Sequence, residues 1–141
     1  MSVMQARMLG PLQLAYIGDS VHDLYVRAML LAEGLSVHHL HKRATALVCA
    51  RAQARWLAGI APLLTDEEAE VARRGRNAHA RHAAPKHADP ADYTQSTALE
   101  ALWGYLYLSG QSDRLEALLR AGLEAVTQEA GRGEGGADAA T

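Results

Sequence analysis

Between Pro11 and Gly34 the apolar residues Leu12, Ala15, Tyr16, Val21, Leu24, Ala28 and Leu31 recur every three or four positions. That period predicts one long amphipathic helix over about residues 12–32, opened by a proline whose fixed backbone suits a first turn. A helix of this length needs partners for its apolar side, and no other stretch alternates like a strand. The partners are therefore helices. Ala, Leu and Arg recur along the chain, Phe is absent and 49% of residues are hydrophobic, which is helix-forming chemistry. Ser36 caps a helix bearing Val37, Leu40, Leu47 and Val48 that bends and continues through Trp56 to about Ala61. Thr65 and Glu68 stand at capping-box spacing and open a short helix to about Arg74. Gly75 to Asp92, with two prolines, reads as a long loop. A buried helix from about Thr94 to Leu108 follows, and Asp113 caps a last one carrying Leu115, Leu118, Leu119, Leu123 and Val126. The expected fold class is all-α: one domain over residues 1–129 and a disordered tail over 130–141.

Cys49 is the only cysteine, so no disulfide closes within the chain and no paired-cysteine metal site forms. It reads as a small buried hydrophobe in a reducing, cytosolic setting. With no apolar run of about 18 residues and no apolar core to a leader, no membrane span is expected and the location is cytoplasmic. The net charge of -2 conceals an uneven distribution. From Val71 to Ala88 stand Arg73, Arg74, Arg76, Arg81 and Lys86 with His79, His82 and His87, and no acid. Such a block is a candidate phosphate-binding surface.

Two stretches place carboxylates where a core-forming helix should be apolar. LAYIGDSVHDLY holds Gly18, Asp19 and Asp23, and STALEALWGYLYLSG holds Glu100 and Gly104. Aspartates at i and i+4 repel unless a cation lies near, and Arg27 stands at the next i+4 position as a partner for Asp23. Glu100 and Gly104 share a helix face, so a partner helix that approaches at Gly104 lies against Glu100, while Gly18 offers a matching notch beside Asp19. Crossing there brings Asp19 and Glu100 together as an oxygen-ligand site suited to Mg²⁺ or Mn²⁺. The spacing alone leaves a second reading open, in which both glycines only relieve packing and Glu100 reaches out to solvent. A third uses the histidines: the His22–Asp23 pair with His38, His39 and His41 on the next helix is raw material for an HD-type metal phosphohydrolase acting on nucleotides.

LAYIGDSVHDLYVR and STALEALWGYLYLSG, with HKRATALVCARAQA, RRGRNA and PKHAD between them in order, resemble the ribonuclease III catalytic domain over about Leu12 to Leu119. The likeness is to the Mini-ribonuclease III branch, which has no double-stranded-RNA-binding domain. Full-length members carry a glutamate four residues before the first aspartate and an aspartate three residues before the last glutamate. Here those positions are Ala15 and Thr97, as in the Mini-III pattern. The resemblance implies the ribonuclease III endonuclease-domain fold and a homodimer cutting double-stranded RNA to 5′-phosphate and 3′-hydroxyl ends. Its role would be in precursor 23S ribosomal RNA, with a ribosomal protein as a further partner. It implies Asp19 and Glu100 as catalytic metal ligands for Mg²⁺, with Mn²⁺ able to substitute, and Asp23 and Thr97 as supporting positions behind them. Arg74, Arg76, Asn77 and Lys86 fall on the matching basic motifs and are expected on the RNA backbone. Trp56 and Trp103 are expected in the core or at a dimer contact, because a duplex keeps its bases inside. The competing non-enzyme reading is an RNA-binding or ribosome-assembly factor on the same fold, which needs no metal and tolerates Asp19→Asn.

Overall fold

The computed structural model describes residues 1–78 and 89–139, with side chains to residue 129 in the last helix. The described residues form α1 (Val3–Arg7), α2 (Pro11–Leu31), α3 (Val37–Val48), α4 (Ala50–Ile60), a 3₁₀ turn (Ala61–Leu63), α5 (Asp66–Asn77), α6 (Pro90–Leu108) and α7 (Ser112–Ala139), with no strand among them. The all-α expectation holds.

A helix that is apolar all round has to be central, and α6 is that helix. From Ser96 to Leu106 every residue is buried except Glu100, which is half-buried. Helices α2, α4 and α5 pack around α6, and α7 lies against α4 and α6. Trp56 and Trp103 are fully buried, as core residues. Each large side chain buried this way contributes roughly 1.5–3 kcal/mol before the entropy of ordering it is counted. None of the described helices is long and apolar enough to cross a membrane.

The local chemistry explains most boundaries. Ser36 accepts from the His39 backbone N–H, and Thr65 and Glu68 close the expected capping box. The bend predicted after α3 is at Cys49, whose extended backbone (φ -68°, ψ 159°) separates α3 from α4. Cys49 is exposed there, which corrects the expectation that it is buried. The expected loop over residues 75–92 is shorter at both ends. Helix α5 runs on through Asn77, and Asp89 caps α6 by accepting from the N–H groups of Ala91 and Asp92. Asp113 falls inside the first turn of α7 rather than capping it. Helix α1 was not expected; Ser2 and Gln5 cap it reciprocally, and Ala6 is buried.

Candidate active site

The site is a consequence of how closely α2 and α6 cross. A Cβ at Gly18 would lie 2.5 Å from the carbonyl carbon of Glu100, and one at Gly104 would lie 2.8 Å from the carbonyl carbon of Leu14. No side chain tolerates either approach, so each glycine is a notch that receives the backbone of the other helix. Asp19 follows the first notch and Glu100 is the residue seated in it. Their side chains are hydrogen-bonded to each other. The glycines do relieve packing, as the second reading had it, and they also bring the two acids together.

Burial first, and then the bond to Asp19 and its charge, push the Glu100 carboxyl up to about 8 from an ordinary 4.5. At neutral pH Glu100 therefore keeps its proton and donates it to Asp19. Two hard carboxylate oxygens sharing one proton form a donor set in which a divalent cation can replace that proton. Among the described residues no cluster of three or more His, Cys, Asp or Glu gathers. The donor set therefore suits a cation that keeps several waters, as Mg²⁺ does.

The supporting positions separate. Thr97 is buried one turn before Glu100, and its hydroxyl donates to the Tyr93 carbonyl at 3.1 Å. Asp23 pairs with Arg27 at 3.2 Å. Ala15, which fills the place of an acid in the larger enzymes, is buried. The histidine reading fails. His22 lies in the core with both ring nitrogens engaged, while His38, His39 and His41 are exposed on α3.

The basic residues also divide. Arg76 and Asn77 are exposed at the end of α5, whereas Arg74 is half-buried and donates to the Arg7 carbonyl at 3.2 Å. Arg73 pairs with Glu70 at 2.6 Å. Lys86, with Arg81, His79, His82 and His87, lies outside the described residues. Gly75, expected to begin a loop, is instead a third notch: a Cβ there would sit 2.8 Å from the Ala101 Cβ and 3.0 Å from the Ala98 Cα. It brings the basic end of α5 against α6 at Thr97, Ala98 and Ala101. Lys42 on α3 and Arg51 on α4 are also exposed, in a stretch with no acid between Glu33 and Asp66.

Comparison with known proteins gives a consistent picture. The Ribonuclease III domain family matches residues 12–111. A Mini-ribonuclease 3 of Symbiobacterium thermophilum is 52% identical over 114 residues, covering 80% of this chain and 87% of that protein. One from Brevibacillus brevis is 45% identical over 114 residues, covering 80% and 84%. Among solved structures, the X-ray structure of a Fusobacterium nucleatum protein superposes with a TM-score of 0.74 at 27% identity, covering 81% of this chain and 93% of that one.

Proposed function

This chain belongs to the ribonuclease III family, among its Mini-ribonuclease 3 members, and is an endoribonuclease; on that premise we propose a Mg²⁺-dependent enzyme that cuts double-stranded or structured RNA. Mn²⁺ substitutes for Mg²⁺. The substrate is precursor 23S ribosomal RNA in the cytoplasm, with a ribosomal protein helping to present it. The observation that carries the reading is the proton-sharing pair Asp19 and Glu100 at a crossing built from two glycine notches.

Asp19 and Glu100 would hold the cation, Glu100 in its deprotonated form. When bound there, a divalent cation supplies Lewis acidity that acidifies water and offsets the charge of a scissile phosphate. Thr97 lies one turn before Glu100 on α6, while Asp23, one turn beyond Asp19 on α2, is taken up by its ion pair with Arg27. Arg76 and Asn77, with Arg74 and Lys86, meet the RNA backbone. An RNA duplex offers proteins chiefly phosphates and 2′-hydroxyls, so such contacts make binding fall as salt rises. The catalytic unit is residues 1–129, and the described chain beyond it continues α7 to Ala139.

The homodimer is supported by an apolar surface on the helix that carries Asp19. Met1, Leu9, Leu12, Tyr16, Ile17 and Leu108 line a shallow hollow in which Tyr16 is 79% exposed. Contiguous exposed apolar area of this kind marks protein interfaces. Two copies joined there give the duplex two cutting sites and add avidity that a domain without a separate RNA-binding module needs.

The test is cleavage of a long RNA duplex by wild type and Asp19→Asn, each with Mg²⁺ and with EDTA. Cuts that need the cation and fall by about 10³-fold or more in the variant are expected. Wild-type turnover by Asp19→Asn removes that residue from the site.

A further inference from the structure

His22 has no place in the reaction as so far described, yet both of its ring nitrogens are hydrogen-bonded in the core. It is fully buried in the middle of α2. Its Nε2 lies 3.0 Å from the Leu47 carbonyl oxygen, and its Nδ1 lies 3.1 Å from the Trp103 indole nitrogen. A carbonyl oxygen can only accept and an indole N–H can only donate. The ring is therefore neutral, with its proton on Nε2 and its lone pair on Nδ1 facing Trp103. The edge of this arrangement is closed by Trp56, whose ring centroid is 4.6 Å from that of His22 at 72°.

The positions of its partners give this bonding a purpose. His22 is three residues after Asp19, and Trp103 is three residues after Glu100, so the imidazole–indole bond joins α2 to α6 one helical turn from the acid pair. The third partner, Leu47, is in the last turn of α3, where a carbonyl loses its helical partner because the chain breaks at Cys49. His22 supplies the missing donor, and Gln53 does the same for the neighbouring Val48 carbonyl at 3.2 Å. One side chain thus fixes the rotation of α2 against α6 and ties both to the α3–α4 break.

We propose that His22 is a positioning residue: by donating to Leu47 and accepting from Trp103 it sets the separation of Asp19 and Glu100, and so their capacity to hold a divalent cation. This rests on the reading of Asp19 and Glu100 as the cation site. The charged groups acting on His22 are Asp19 and Asp23, both on its own helix. The elements packed against it offer Trp103, Trp56 and the Leu47 carbonyl. Partners that orient a metal's ligands cost roughly 10–100-fold in affinity or activity when removed.

His22→Phe keeps a ring in the same space and loses both hydrogen bonds. His22→Gln keeps one donor and one acceptor, and Trp103→Phe removes the indole donor alone. Each is compared with wild type and Asp19→Asn in two measurements at a temperature where circular dichroism shows all of them folded. The first is Mn²⁺ binding to the RNA-free protein, followed by the electron paramagnetic resonance of free Mn²⁺. The second is kcat and KM on an RNA duplex. The expected result for His22→Phe is Mn²⁺ affinity and kcat each about tenfold or more below wild type, with KM within twofold and substantial recovery in His22→Gln. If His22→Phe does not fold, the same split in Trp103→Phe supports the proposal and its absence there overturns it. A His22→Phe protein that melts lower but binds Mn²⁺ and turns over like wild type also overturns it. Unchanged Mn²⁺ binding in Asp19→Asn breaks the acid-pair reading instead, which separates the two failures.

Discussion

Two contacts join α2 to α6 one helical turn apart, and they are opposite in kind. At Asp19 and Glu100 two acids meet and one must keep a proton well above its ordinary range. At His22 and Trp103 every donor meets an acceptor, and nothing is left to titrate without breaking a bond. The first contact is a conflict that, on the proposed function, a cation would resolve, and the second is a joint already satisfied. Folded proteins depart from local consistency chiefly where they act, with well-satisfied surroundings holding the departure in place. The satisfied joint lets α2 and α6 hold an unfavourable carboxylate pair between them without drifting apart.

The largest effect is expected from closing the notches. Gly18→Ala or Gly104→Ala drives a methyl group into the backbone of the facing helix, and a backbone cannot rotate aside as a flexible side chain can. Either change should cost about 3 kcal/mol or more, the upper end of overpacking, and abolish cleavage in whatever folds. Urea denaturation and duplex cleavage measure both. A Gly18→Ala protein of wild-type stability would show that the crossing is looser than the acid pair requires.

A smaller effect separates the two contacts by pH. Glu100 is raised from 4.5 to about 8 by burial and Asp19. The stability it contributes is therefore complete below about 4.5 and lost as pH rises through about 8. His22 is lowered from 6.5, chiefly by burial. Its contribution is present above 6.5 and lost as pH falls toward its folded value. In cation-free protein between pH 6.5 and 8, Glu100 alone of the two acts, so Tm should fall as pH rises. Below 6.5 the two slopes oppose. Glu100→Gln should remove the alkaline fall, an effect on the order of a few kcal/mol, and saturating Mg²⁺ should flatten it in wild type. His22→Phe should instead leave Tm rising as the solution is acidified below 6.5. If wild-type Tm is level from pH 6.5 to 8 without cation, the acids do not share a proton.

Much of this was legible because helical periodicity and glycine placement are local properties. The 3.6-residue spacing in α2 and α6 marks the helices, and Gly18 and Gly104 mark the depth of their crossing, so the pairing of Asp19 with Glu100 is legible from spacing. What stayed hidden depends on which elements face each other. Gly75 has the same chemistry as Gly18 but sits among arginines, and reads as a helix end until α6 is seen against it. His22 looks like half of a metal motif because nothing near it in sequence announces Leu47 or Trp103 as partners. The Glu68–Arg114 bridge at 2.8 Å joins residues 46 apart between α5 and α7, with no local signal at either end. Cys49 has an apolar neighbourhood in sequence, yet the chain is extended at that residue, and it is exposed with its thiol donating to the Ala46 carbonyl.

The smallest expected effect tests where the acid site ends. Asp23 is one turn beyond Asp19 on the same helix, so by spacing it belongs with the acids, and by contact it belongs to Arg27 at 3.2 Å on an exposed surface. An exposed i,i+4 pair of this kind contributes about 0.3–0.5 kcal/mol. Asp23→Asn should therefore change stability by no more than about 0.5 kcal/mol, and leave the Mg²⁺ concentration for half-maximal cleavage within twofold of wild type. A Mg²⁺ titration of duplex cleavage reads this directly, and a fivefold or larger increase would place Asp23 with the acid pair. The physical reason to expect otherwise is Arg27 itself. By pairing with Asp23 it relieves the repulsion between two aspartates one turn apart, and so leaves Asp19 to face Glu100 without a third carboxylate competing for the same cation.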